Sequence, residues 1–200
     1  MGSTLQSTSS LSNSCAPGLD LAISPVLLVG SPGAGTVALL FQYAHAAARA
    51  GLNVVILGSR ESLSDNHPVV DSKAASDPVW RDVHLKYLSN VQEALLYLGG
   101  VHLLDPEFRP HLILLHDALG LCSGVASDKG GRSREALLCR LFAQFADAAT
   151  HLHKAGLASA PAPLADALSG SRAILSIECE MENPCVALAQ RWLPDCFPAL

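Results

Sequence analysis

Apolar residues follow two alternating patterns along this chain. Short runs rich in valine, isoleucine and leucine, bounded by glycine or polar residues, are typical of buried strands in a parallel sheet. Longer segments with apolar residues three and four positions apart predict helices that bury one face. The predicted strands are residues 25–29, 53–58, 83–88, 112–115 and 173–177, and the predicted helices are residues 37–50, 90–104, 133–154 and 184–192.

The ends of these elements carry their own signals. Gly51 is expected to end the first helix, because glycine readily adopts the left-handed conformation past a helix. Ser89 followed by Gln92 predicts a capping box for the second helix, and Ser133 is expected to cap the third. Polar or Gly/Pro/Ser-rich stretches predict loops at residues 59–78, 120–132 and 155–170. Strands that alternate with helices predict an α/β fold with a doubly wound, mostly parallel sheet flanked by helices.

Composition adds limits to this picture. The chain has 200 residues, of which 50% are hydrophobic and 16% charged, which suits one α/β domain at residues 21–200 after a flexible Ser/Thr-rich tail at residues 1–20. A net charge of −5 argues against broad nucleic-acid affinity, so any DNA contact needs a local basic patch. No apolar run approaches the roughly 20 residues of a membrane span, and the first residues lack the features of a secretory signal.

Cysteine and histidine spacing predicts no metal site. The six cysteines form no C-x-x-C pair and are expected to be reduced thiols inside a cell. His151 and His153 lie two positions apart on a predicted helix, and residues at that spacing do not share a helix face. We therefore expect both histidines to be solvated.

The most informative motif is the sequence GSPGAGTV, which runs from Gly30 to Val37 between the first strand and the first helix. That context is the one in which the phosphate-binding loop G-x-x-x-x-G-K-[ST] occurs. Gly30, Gly33 and Gly35 keep a glycine turn, but Thr36 stands in place of the lysine and Val37 in place of the hydroxyl that holds magnesium. Loss of a charged donor costs about 1.5–3 kcal/mol, or roughly 10- to 100-fold in affinity. Two interpretations stay open: weak binding of ATP with magnesium, or a turn that only packs.

Two further stretches invite comparison with a nucleotide site. Asp117 follows the apolar run 112–115 as a Walker B-like magnesium carboxylate would, but it lies one place late, and His116 takes the strict position. The alternative is a polar residue that ends a strand at the carboxyl edge of the sheet, the edge at which ligands bind in open α/β folds. Glu61 could orient water after the second strand, although Arg60 holds the direct register, so a surface carboxylate is expected.

Several segments together resemble a known family. The run 25–35 with the following Ala38-Leu39-Leu40-Phe41, the run 112–115 with Asp117, and the segment AQRWLPDC at 189–196 are similar to the divergent RecA-type recombinase paralogs that are subunits of Shu complexes. The resemblance implies a RecA-like P-loop core that pairs with a SWIM-domain zinc-finger protein. The pair would bind single-stranded DNA and promote recombinase filament assembly during homologous recombination in the nucleus. The family carries lysine and threonine in the loop, so this degenerate Walker A loop predicts weak or absent ATP turnover.

The resemblance also implies a DNA side. In a RecA-like layout, the loop after the run 112–115 faces DNA, and it supplies Lys129, Arg132 and Arg134 for phosphate contacts. The loop after the next strand would repel phosphate through Glu178, Glu180 and Glu182. We expect weak intrinsic DNA binding that the partner completes, with a solvated basic surface as the alternative.

Partner contacts are predicted from aromatic residues. Phe41-x-x-Ala44 and Phe145-x-x-Ala148 both match the short pattern through which recombinase protomers engage one another, and both phenylalanines also suit a helix core. Phe41 and Ala44 are the better candidates because they lie in the family-like stretch, and Trp192 and Phe197 are candidate anchors of an apolar patch. Besides this adaptor role, two functions stay open: a slow ATPase that uses Asp117, and a single-stranded DNA-binding module that acts alone.

Overall fold

The computed structural model describes residues 25–65, 77–123, 134–169 and 173–179, together with the backbone of residues 195–198. The strands are β1 Val26–Gly30, β2 Val54–Gly58, β3 Val83–Tyr87, β4 Leu112–Leu115, β5 Ile174–Glu178 and β6 Asp195–Pro198. The helices are α1 Thr36–Arg49, α2 Arg60–Asp65, α3 Val91–Gly100, α4 Ala118–Leu121, α5 Arg134–Ser159 and α6 Ala162–Ser169. Short 3-10 turns cover Pro78–Asp82, Val101–Leu103 and Pro106–Phe108.

The strands form one sheet in the order β3-β2-β4-β5-β1-β6, and every neighbouring pair is parallel. Parallel neighbours require crossover connections, which the helices provide. Helix α1 packs against the sheet and the 3-10 turn Pro78–Asp82, whereas α3, α5 and α6 pack as a separate group. The predicted α/β class with a parallel sheet flanked by helices is confirmed, and this arrangement is consistent with the predicted doubly wound fold.

Burial explains why the runs of leucine, isoleucine and valine became central strands. Every residue of β2 and β4 is buried, as expected for strands covered on both faces. Strand β3 lies at the edge of the sheet, and its residues are partly buried or exposed. The buried apolar side chains of the described residues form one core cluster, in which Phe142 and Phe145 are the largest fully buried residues.

The loop predicted at residues 155–170 is wrong. Helix α5 continues to Ser159, and α6 follows after a short break. Leu168 of α6 is buried, and its side chain lies so close to Gly156 of α5 that an added methyl group there would approach it to 3.0 Å. Alanine-rich composition favours helix, and this packing of α6 on α5 outweighs the local proline and serine signal.

The second helix begins with a different cap from the predicted Ser89–Gln92 pair. Asn90 is the capping residue, and its Oδ1 accepts hydrogen bonds from the backbone N–H groups of Gln92 at 2.9 Å and Glu93 at 3.1 Å. The Glu93 carboxylate accepts the Ser89 N–H at 2.8 Å. The box is therefore shifted by one residue, since glutamate reaches back where glutamine was expected to do so.

Other boundaries differ in smaller ways. The second helix ends at Gly100 and continues only as a 3-10 turn, and the predicted loop 59–78 contains α2. Gly51 has φ +88°, so its expected left-handed role after α1 is confirmed. Strand β6 was not predicted. The tail 1–20, Ser133 and the predicted helix 184–192 lie outside the described residues.

Candidate functional site

The glycine turn predicted from the sequence is formed between β1 and α1, at the carboxyl edge of the sheet. Gly33 has φ +79° and Gly35 has φ +77°, the left-handed region that glycine enters without cost. The Ala34 N–H donates to the Ser31 carbonyl at 2.9 Å, which closes the turn. Helix α1 then begins at Thr36.

The side chain in the lysine position is bound to a carboxylate of the chain itself. Thr36 is fully buried, and its hydroxyl donates to Glu178 Oε1 at 2.5 Å. Glu178 is the last residue of β5 and pairs in register with Gly30, the first glycine of the turn. The next residue, Val37, is 2% exposed and belongs to the core, so it offers no magnesium ligand.

A buried histidine lies near the same carboxylate oxygen. His116 follows β4 and is fully buried, and its Nδ1 lies 2.9 Å from Ser176 Oγ. The Ser176 oxygen accepts the backbone N–H of Asp117 at 3.1 Å, so the serine proton is free to be donated to His116 Nδ1. We assign the serine proton to this bond, and the imidazole proton then lies on Nε2. Nε2 faces Glu178 Oε1 at 3.8 Å and has no hydrogen-bond partner among the described residues.

Burial sets the charge of this imidazole. Desolvation lowers the pKa of His116, and the nearby carboxylates of Glu178 and Asp117 oppose that shift without reversing it. His116 is therefore neutral at neutral pH, and it does not compensate the charge of Glu178. We call the polar network of Thr36, Glu178, His116 and Ser176 the edge network.

Asp117 has a local structural role. Its φ of +47° is left-handed, and its Oδ1 accepts the Gly120 N–H at 2.9 Å, which caps α4. A methyl group at Gly120 would collide with Asp117 Oδ2, so the close approach requires glycine. The carboxylate is thus engaged by the cap, as expected for a residue that ends a strand.

Ser176, His116 and Glu178 have the residue types of a hydrolytic triad, but their geometry does not suit one. Ser176 is fully buried and its oxygen is engaged by Asp117 N–H and His116. A nucleophile must reach its substrate, and complete burial denies Ser176 that access. The set therefore links β4 to β5 and is not a nucleophilic centre.

The predicted DNA residues are only partly described. Arg134 is the first residue of α5, and its guanidinium donates to the Leu119 carbonyl at 3.1 Å. Lys129 and Arg132 lie outside the described residues, as do Glu180 and Glu182.

The side chains of only two of the four predicted partner residues are described. Phe41 is 5% exposed and lies 6.3 Å from the Trp80 ring, centroid to centroid, and Ala44 is fully buried. Both residues thus lie in the core, the alternative weighed for this pair. Trp192 lies outside the described residues, and Phe197 is described only as part of the backbone of β6.

The remaining polar candidates lie away from the glycine turn. Arg60 and Glu61 are exposed, and the Arg60 guanidinium lies 4.9 Å from the centroid of the Tyr87 ring. His151 is exposed as expected, but solvation of His153 was a wrong prediction, because its side chain is buried against the core and burial lowers its pKa.

The described residues contain no group of three or more His, Cys, Asp or Glu residues that could hold a metal ion. Within the same residues, no helix is long and apolar enough to cross a bilayer. No protein-family model matches the chain, and a search of curated proteins finds no significant match.

The sequence reasoning missed the central role of Glu178, Ser176 and His116. It treated Glu178 only as a charge that repels DNA. The available signal was the pattern of β5, where Ser176 and Glu178 are polar residues two positions apart in an otherwise apolar strand. That spacing places both on one face of the strand.

Proposed function

We propose that this chain is a RecA-like recombinase-paralog subunit of a Shu-type complex, in which it acts as a scaffold and does not turn over ATP efficiently. It pairs with a SWIM-domain zinc-finger protein in the nucleus, and the pair binds single-stranded DNA and promotes recombinase filament assembly. The observation that supports the non-hydrolytic role is the hydrogen bond from Thr36 to Glu178, because it joins a carboxylate to the residue in the lysine position. The partners and the DNA role are taken from the sequence resemblance.

The fold and the sequence resemblance support the architecture. The parallel sheet puts a glycine turn with two left-handed glycines at its carboxyl edge, before a helix of 14 residues. Together with the segments that resemble the recombinase paralogs, this arrangement favours a P-loop core of the RecA type.

The electrostatics of the turn support the non-hydrolytic role. Phosphoryl transfer depends on positioned positive charge around the phosphates. Among the described residues, no lysine or arginine forms an ion pair with the turn or with Glu178. A unit negative charge about 4 Å from the Glu178 carboxylate would be repelled by about 4 kcal/mol at an effective dielectric near 20, which is roughly 1000-fold in affinity.

Co-expression tests the partnership. The full chain is expressed with a SWIM-domain zinc-finger protein, and the mixture is analysed by size-exclusion chromatography with light scattering. We expect a stable complex that binds single-stranded DNA and lacks ATP turnover. A stable monomer without affinity for the partner would contradict the proposal. Turnover that disappears on Asp117→Asn would favour the slow ATPase instead.

Charge reversal tests the DNA role. Lys129→Glu with Arg132→Glu should weaken single-stranded DNA binding by the complex and flatten its salt dependence, because each lost phosphate contact reduces counterion release. Arg140→Glu with Lys154→Glu, at two exposed positions of α5, is the charge-matched control and should leave binding unchanged. Equal loss in the control would show that net charge, not this loop, determines binding. Full binding by the chain without its partner would favour the stand-alone module.

A further inference from the structure

Glu178 lies at a place where the fold favours an anion. Helix α1 has 14 residues, its N-cap Gly35 supplies no side-chain hydrogen bond, and its first turn contains no acidic residue. The N-terminus of such a helix carries unpaired N–H groups and a positive partial charge. The nearest carboxylate comes instead from another element, through the contact between Thr36 and Glu178.

A second donor points at the same place. His116 Nε2 is fully buried, has no hydrogen-bond partner among the described residues, and lies 3.8 Å from Glu178 Oε1. Because the Ser176 proton is assigned to the bond with Nδ1, the imidazole proton lies on Nε2. A buried donor without an acceptor is unfavourable, so His116 has capacity for an acceptor oxygen that Glu178 does not fill at this distance.

We infer that the glycine turn is an oxyanion site whose resident ligand is the chain's own Glu178 carboxylate, which excludes phosphate groups until it is displaced. The inference rests on the proposed function, since it explains how a scaffold of this fold is kept free of nucleotide. Thr36 Oγ1 and His116 Nε2 are the donors that an incoming phosphate oxygen would meet in place of Glu178. Glu178 would therefore occupy the donors beside the turn, in addition to the loss of the lysine from the turn.

This self-occupancy has a consequence for restoring the site. A lysine introduced by Thr36→Lys would meet Glu178 at once and pair with it, so its charge would be unavailable to phosphate. Glu178→Gln removes the negative charge while it keeps an oxygen that can accept a hydrogen bond from Thr36. Only the double variant should present both a free lysine and an empty turn.

The test compares the full chain with Thr36→Lys, Glu178→Gln and the double variant, and inorganic pyrophosphate is the probe. Calorimetric titration should detect no binding to the wild type or to Thr36→Lys. It should detect weak binding to Glu178→Gln, and binding tighter by about 10- to 100-fold in the double variant, the range for a charged donor. Glu135→Gln, on the exposed start of α5, is the charge-matched control and should behave as the wild type.

Two results would overturn the inference: equal pyrophosphate affinity in the wild type and Glu178→Gln, or binding by Thr36→Lys alone as tight as by the double variant. Circular dichroism of each variant verifies that it is folded. Binding of the SWIM-domain protein by the same variants is measured separately. A chain that fails to bind this partner but shows the expected pyrophosphate series would contradict the proposed function and leave the self-occupied turn standing.

Discussion

Ser176→Ala provides the most direct test of the edge network. The substitution removes one hydroxyl from a fully buried position in β5 and leaves the rest of the side chain unchanged. Two groups lose their partner at once: the backbone N–H of Asp117, now 3.1 Å from the hydroxyl, and His116 Nδ1, now 2.9 Å from it. His116 is fully buried, so bulk water cannot readily replace the serine at Nδ1, whereas Asp117 is half-buried.

The magnitude follows from the number of groups left unpaired. Each buried donor or acceptor without a partner costs about 1–3 kcal/mol. Because Asp117 is only half-buried, we expect a total nearer the lower end for two groups, about 2–4 kcal/mol. For a domain of this size, such a loss lowers the melting temperature by roughly 4–16 °C.

Urea denaturation followed by circular dichroism measures the effect. Ser176→Ala should lower the denaturation midpoint without changing the m-value, since the surface exposed on unfolding is the same. Ser159→Ala is the control: its hydroxyl donates to the Ala155 carbonyl at 2.9 Å at the exposed end of α5, and its loss should cost less than about 0.5 kcal/mol. A double-mutant cycle with His116→Leu should show a combined loss smaller than the sum.

If Ser176→Ala and Ser159→Ala unfold at the same urea concentration, the Ser176 hydroxyl does not stabilise the edge network. A second contrary result would be losses from Ser176→Ala and His116→Leu that add fully. In that case the hydroxyl and the imidazole would contribute independently, and the hydrogen bond between them would not couple β4 to β5.

Two further predictions concern a buried histidine and the glycine turn. Burial lowers the pKa of His153, so the unfolded chain binds a proton at this residue more readily than the folded chain, and stability falls as the pH drops below about 6.5. In urea titrations at pH 7 and 5.5, His153→Leu should reduce that loss of stability, whereas His151→Leu, at an exposed position, should not. Gly35→Ala should lower the free energy of unfolding by about 1–2 kcal/mol in urea denaturation, because Gly35 has φ +77° even though no atom lies within 4 Å of the added methyl group. Gly100→Ala, where φ is −98° and the space is equally open, should be neutral, and equal effects at the two glycines would contradict a backbone origin.

The sequence was sufficient for elements whose signal is local. The run 112–115 is apolar without interruption, and it became β4, buried along its whole length. Gly33 and Gly35 were recognised because left-handed turns depend on the residue itself. The prediction for residues 155–170 was wrong because the proline and serine residues there favour a loop. The packing of α6 against α5 is a tertiary effect that a local sequence pattern does not contain.

The candidate site shows the same division more sharply. Thr36 and Val37 showed that the turn lacks the lysine and the magnesium-binding hydroxyl. They could not show that a carboxylate lies beside Thr36, because that carboxylate comes from β5. Parallel neighbours in this sheet are far apart in sequence, and the order β4-β5-β1 is what brings Glu178 beside Gly30. The acidic group beside this glycine turn is therefore supplied by the neighbouring strand and not by the turn itself. A degenerate phosphate loop with a polar residue at the carboxyl end of a neighbouring buried strand deserves to be tested at that residue, before a lysine is put back into the loop.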